Sequence, residues 1–231
     1  MQEQFKITKV SNNIYKIQEV WFKEHANLYL FCGKNSNLLI DAGLGLFDIK
    51  LFLEKKGFKN VKVALTHSHF DHFGGIRHFS KNEVLITKKI YANLKNKNLF
   101  GLDFLLEKDF SSKSNFSEVK SIFHSFKIVL KPRNIKSIKV GNFNFKIIGA
   151  PGHTDDSVIY YDKKNGIIIT GDTLYKGGIY FNFLNSNAKK FKDSLSVIKN
   201  LNFKLLLPGH GSALKKDSAQ KIIKKWSHLC I

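Results

Sequence analysis

A chain of 231 residues, 43% hydrophobic and 13% aromatic, can fill one substantial core, and a single domain is expected. The start, Met1-Gln2-Glu3-Gln4-Phe5-Lys6-Ile7, has no apolar stretch behind a basic segment, and no run approaches about 18 apolar residues; export and membrane spanning are disfavoured and a cytoplasmic location is expected. The net charge of +20 is almost all scattered lysine, with Arg77 and Arg133 the only arginines, so a nucleic-acid partner stays open but unfavoured, and a small anionic molecule is preferred.

In chain order, Phe5 to Val10, Ile14 to Val20, Leu28 to Cys32 and Asn37 to Asp41 are β-branched or aromatic runs separated by turn residues, and they predict a meander. Leu46 to Lys56 has helical apolar spacing and stops at Gly57. An apolar strand follows at Val61, Val63 and Leu65, then a short strand at Val84 to Thr87. Ile90 to Phe110 predicts a helix broken at Gly101, whereas the stretch from Ser111 to Pro132 is not legible, and no role is assigned to residues 88–137. Strands return at Ile138, at Phe143 to Ile147, at Val158 to Tyr161 and at Ile167 to Thr170. A helix over Ala188 to Leu201, a strand at Leu205 to Leu207 and a helix from about Ala213 to Leu229 complete the pattern. Strands followed by helices in both halves predict two sheets with helices outside, a layered α/β arrangement. Cys32 and Cys230 lie near opposite ends with no ligand-like neighbours, which argues against a disulfide framework.

Chemistry concentrates in Thr66-His67-Ser68-His69-Phe70-Asp71-His72, where the strand through Leu65 gives out. Imidazole and carboxylate at this density suit borderline metals such as zinc, iron or manganese. Three later apolar strands each end on a potential ligand beside a glycine: His153 after Gly152, Asp172 after Gly171 and His210 after Gly209. Five of the nine histidines fall in these places, leaving His25, His78, His124 and His228 as expected surface or loop residues. His67, His69, Asp71, His72, His153, Asp172 and His210 are too many donors for one four-coordinate ion but suit two ions about 3.5–4 Å apart. Asp172 is the natural protein bridge among the later motifs, since its two oxygens can touch different ions.

This pattern, with Asp41 in Leu39-Ile40-Asp41-Ala42-Gly43 before the cluster, resembles the metallo-β-lactamase superfamily of hydrolases over most of the chain and in that family's motif order. The resemblance implies a four-layer αββα sandwich with the metal site at strand ends. It implies that His67, His69 and His153 hold one ion, that Asp71, His72 and His210 hold the second, and that Asp172 bridges them. Asp41 would orient the cluster by hydrogen bonding, unless it is a simple turn residue. Two divalent ions are expected, zinc first, with iron or manganese as alternatives. A metal-bound hydroxide would attack an ester or thioester carbonyl, with Asp71 and Asp172 as the ligands that orient it.

Within the superfamily, Thr170-Gly171-Asp172-Thr173-Leu174-Tyr175 and Gly74-Gly75 look closest to glyoxalase II and related acyl-thioester hydrolases, and Asn27 to Gly45 is similar to small acyl-coenzyme A thioesterase-like members. About 21 residues follow His210, room for one helix rather than a glutathione-binding helical domain. Trp21, Tyr175 and Lys176 are the candidate substrate contacts, from the segments Trp21 to Asn27 and Tyr175 to Phe181; core packing is the competing explanation for the aromatic residues. Two rival activities share the motifs, a metal-dependent nuclease and an oxidoreductase resembling mononuclear-iron persulfide dioxygenase. Oligomeric state is not legible.

Overall fold

The computed structural model describes residues 3–23, 25–104, 106–127, 130, 132–178 and 184–229. Cys230 and, in the segment after Tyr175, Ile179 to Phe181 lie outside the described residues. The chain divides into two compact units, Met1–Asn134 and Ile135–Ile231.

The first unit is built on a six-stranded sheet of β1 (Phe5–Ser11), β2 (Ile14–Glu19), β3 (Leu28–Cys32), β4 (Asn37–Ile40), β5 (Val61–Ala64) and β6 (Val84–Leu85), paired in that order. β1 to β4 form the expected antiparallel meander, and β5 and β6 then add in parallel. A parallel neighbour requires a crossover, and α1 (Ile49–Lys55) lies in the one between β4 and β5. This helix begins three residues later than its apolar spacing predicts. Asp48 Oδ1 accepts the Leu51 amide at 2.9 Å, so the N-cap falls after Leu46 and Phe47, and Gly57, at φ +88°, follows the last turn.

The middle of this unit departs further from expectation. Thr87 is not in β6 but caps α3 (Lys88–Leu94), its Oγ1 accepting from the Ile90 amide at 3.2 Å. No long helix runs to Phe110: three 3-10 turns follow, at Lys97–Leu99, Leu102–Phe104 and Glu107–Asp109, with Gly101 at φ +72° between the first two. The illegible stretch contains α4 (Lys113–Ser125), capped by Ser112. What orders the segment is aromatic packing: Phe73 sits edge-on to Phe100, Phe123 and Phe126 at ring distances of 4.6, 5.3 and 5.0 Å. Phe73 closes α2 (Phe70–Phe73), and the Phe70 amide donates to Phe100 O at 2.9 Å, so the middle segment buttresses the helix that carries Asp71 and His72.

The second unit repeats the logic, with β7 (Ser137–Val140), β8 (Phe143–Gly149), β9 (Val158–Asp162) and β10 (Ile167–Gly171) antiparallel. Through α5 (Ala188–Asn200) the chain then returns in parallel as β11 (Leu205–Pro208). A two-residue strand β12 (Leu214–Lys215) pairs with Leu205 and Leu206, which delays the last helix, α6, to Lys216–Leu229. Phe191, Leu195 and Ile198 of α5 and Ala219 and Ile223 of α6 pack into one core with Ile159, Ile168 and Leu206. In both units the residues carrying chemistry follow strand C-termini, where open α/β sheets place ligands. Among the described residues no helix is long and apolar enough to cross a membrane.

Candidate metal centre

In the first unit Asp41 follows β4 and the histidine cluster follows β5, and the parallel pairing of these strands brings the two segments side by side. Asp41 holds a left-handed φ of +64°, uncommon outside glycine but tolerated by aspartate. The bend turns its carboxylate onto the cluster: Oδ1 accepts the Thr66 amide at 2.7 Å, and Oδ2 lies 2.8 Å from both Thr66 Oγ1 and His72 Nδ1. With Nδ1 donating to a carboxylate, His72 presents Nε2, which lies 3.5 Å from Asp71 Oδ2. Thr66 Oγ1 also lies 3.0 Å from His67 Nδ1.

The His67 ring stands 4.8 Å from that of His69 and 4.2 Å from that of His72. Donor atoms of His67 and His69, of His67 and His72, and of Asp71 and His72 lie within 4.8 Å of one another. All four side chains are buried. Imidazoles and a carboxylate this close, removed from water, are costly unless something positive and polarising joins them, and a divalent cation fits that set.

The second unit gathers its own three donors. Gly152, at φ +144°, passes so close to α5 that a side chain would meet the Phe191 backbone at 2.3 Å, and Asn187, the cap of α5, donates its amide to Gly152 O at 2.8 Å. This fixes the backbone that carries His153. Asp172 Oδ2 lies 3.6 Å from His153 Nε2 and 3.2 Å from His210 Nε2, so one carboxylate oxygen stands between two imidazoles. The Gly209 amide donates to Gly171 O at 2.8 Å, which locks the two ligand-bearing strand ends together. Tyr175 is buried with its ring 5.7 Å from that of His210, whereas Lys176 is exposed.

Trp21 is buried, edge-on to Phe47 at 5.3 Å and tilted on Phe110 at 5.7 Å; its Nε1 has no hydrogen-bond partner among the described residues. Its neighbour Phe22 packs edge-on to Phe70, so this loop lies one aromatic ring from α2. Of the other histidines, His124 is exposed, His25 is half-buried with Nδ1 2.8 Å from Phe22 O, and His78 is half-buried against Gly45 O.

The family model for the metallo-β-lactamase superfamily matches residues 22–210. The chain belongs to this superfamily. Among curated proteins it is similar to the acyl-coenzyme A thioesterase MBLAC2 of Gallus gallus, 26% identical over 227 residues, covering 90% of this chain and 81% of that protein. It is also similar to a hydroxyacylglutathione hydrolase of Buchnera aphidicola, 28% identical over 197 residues, covering 85% of this chain but 63% of that protein. Among solved structures, a metallo-β-lactamase family protein of Thermus thermophilus superposes with a TM-score of 0.72 at 20% identity, covering 96% of this chain and 80% of that one. The fold is therefore the α/β sandwich expected from the motif order, built on two mixed sheets. The superfamily uses metal ions, and the described residues include histidine and aspartate groups suited to them.

One residue went unread in the sequence. Glu19, the last residue of β2, is 1% exposed, and both its carboxylate oxygens accept the Leu44 amide, at 3.2 and 3.1 Å. Burial pushes its carboxyl up to about 8, with the Leu44 hydrogen bond pulling the other way. A charged residue closing a strand whose other fully buried positions are Ile14 and Ile17 was the available signal.

Proposed function

We propose that the donors of the two units form one binuclear metal centre within a single functional domain, and that this centre hydrolyses acyl thioesters joined to a small anionic carrier. In this reading His67, His69 and His153 would hold the first ion, Asp71, His72 and His210 would hold the second, and Asp172 would be shared between them, with zinc the preferred metal. The observation that supports it is the placement of Asp172 Oδ2 between the His153 and His210 Nε2 atoms, where a carboxylate could be shared by two ions. The kinship with an acyl-coenzyme A thioesterase and a hydroxyacylglutathione hydrolase, both named for thioester substrates, supports the substrate class.

When bound, such ions supply a water acidic enough to ionise at about pH 7 and positive charge for the developing oxyanion. The protein does the rest. Asp71 and Asp172 accept hydrogen bonds from the attacking water and fix its direction. Asp41 keeps the His72 Nδ1 proton in place, so that His72 offers Nε2. The Trp21–Phe22 loop packs on the helix that carries Asp71 and His72 through Phe22 and Phe70; Trp21, buried with its Nε1 shielded, would shape the wall of the site rather than bond the substrate, and Tyr175 would line it beside His210. No serine or cysteine nucleophile is needed. Cys32 lies in β3 and burial pushes its thiol up to about 11, which leaves it protonated at neutral pH.

Purified protein of measured metal content, assayed against thioester, lactone, phosphodiester and persulfide panels, tests the proposal. Thioester turnover is expected. Phosphodiester cleavage alone would make the protein a nuclease, and persulfide oxidation with one iron per chain would make it an oxidoreductase.

A further inference from the structure

The five residues from Asp41 to Gly45 run between β4 and α1 and are gripped from two sides. On one side is the turn that carries the ligands. The Ala42 amide donates to His72 O at 2.7 Å, and the Gly75 amide donates to Gly43 O at 3.2 Å. The backbones touch so closely that a side chain at Gly74 would meet Leu44 O at 2.1 Å, and one at Gly75 would meet Ala42 O at 2.1 Å. Residues 42–45 and 72–75 are therefore packed backbone to backbone.

On the other side is Glu19. Its carboxylate accepts from the Leu44 amide through both oxygens, receives a further bond from the Gly45 amide, and fills the space in which a Gly43 side chain would stand, 2.8 Å from that Cβ position. Of the groups on α2, Asp71 acts on it electrostatically and opposes its ionisation. A carboxylate this deeply buried is expensive unless its hydrogen bonds serve a purpose. Aspartate would fall one methylene short of the loop. Glutamine would turn an NH2 with no acceptor lone pair toward the donor amides, whereas both oxygens of the carboxyl keep an acceptor lone pair whether or not it is protonated.

We propose that Glu19 is a positioning residue for the Asp71–His72 half of the metal centre, acting through Leu44 and Gly45 on the backbone that sets His72. This inference rests on the binuclear reading given above. The path is continuous: Glu19 carboxylate to the Leu44 and Gly45 amides, loop 42–45 to His72 O and Gly75 N, and from there to the two ligands of α2. Glu19 touches neither substrate nor metal in this scheme.

Zinc titration of the metal-free full chain by calorimetry, followed by steady-state thioester kinetics, tests this in Glu19→Gln. The wild type is expected to take up two ions. The variant should keep one site within about threefold of wild type and weaken the other by about tenfold or more, the range for outer-shell partners, with kcat falling and KM unchanged. Gly43→Ala, whose new methyl would press on the same carboxylate, should reproduce this and carries the test if Glu19→Gln does not fold. Glu83→Gln, which breaks the surface pair with Lys50, controls for stability and should bind both ions as the wild type does. A wild type that binds two ions, with Glu19→Gln or Gly43→Ala binding both unchanged or losing both equally, overturns the role of Glu19 alone. A wild type that binds only one ion overturns the binuclear reading, and the assignment of Glu19 to a second ion falls with it.

Discussion

Asp41 and His72, 31 positions apart in sequence, meet at 2.8 Å between Oδ2 and Nδ1, both fully buried. The contact depends on the left-handed backbone of Asp41 and on the β4–β5 pairing that lays its loop beside α2. It fixes the tautomer of His72 before any ligand is bound.

Replacing Asp41 by Asn keeps the shape but removes the charge that holds the His72 proton. Metal affinity, measured by competition with a chelating dye, is expected to fall about 10–100-fold while far-ultraviolet circular dichroism stays unchanged. Unchanged affinity would reduce Asp41 to a turn residue.

Gly152→Ala should be far more damaging to stability than its one methyl suggests. The left-handed strain at φ +144° is expected to cost about 1–3 kcal/mol, and the clash with the Phe191 backbone adds to it. Urea midpoints would report the loss, and an equal midpoint would mean that the loop before His153 can rise off α5.

The middle segment predicts its own outcome. Phe123 packs against Phe70, Phe73, Phe100 and Phe126 and is fully buried, so Phe123→Ala is expected to cost about 3–5 kcal/mol and to lower the melting temperature. Because the cluster supports α2, the proposed thioesterase activity should be lost at lower temperature than in the wild type.

Glu19 makes the metal-free chain pH-sensitive. The unfolded chain releases this proton near 4.5, whereas burial holds it in the native chain up to about 8, so the native state binds more protons across that window. The stabilisation from the neutral carboxyl is complete below the unfolded value and is lost as pH rises toward the folded one. Relative to wild type, Glu19→Gln should gain stability between about pH 5 and about pH 8, read as the difference in urea midpoints at the two ends. A pH-independent difference would show that Glu19 is ionised throughout.

Much of the candidate site was legible because its donors are contiguous or sit beside glycines at strand ends, as His153, Asp172 and His210 do. Strand pairs were legible from β-branched runs, and β3 starts and stops where its residues predict. The middle segment was not, because 3-10 turns lack the 3.6-residue period and its order comes from rings more than 20 positions apart, such as Phe73 and Phe100. β12 escaped because two residues carry no pattern, and Leu214 and Lys215 are strand only by virtue of β11. Glu19 escaped for a related reason: its partners are backbone amides 25 positions away, which no side-chain motif encodes.

The central claim is that donors from both units serve one two-metal hydrolytic centre. Its most direct test is to add zinc stepwise to metal-free protein while following hydrolysis of an acyl-coenzyme A thioester. The account predicts that the rate climbs until two ions are bound per chain and then stays level. Full activity at one ion per chain, or two bound ions without thioester hydrolysis, would contradict it.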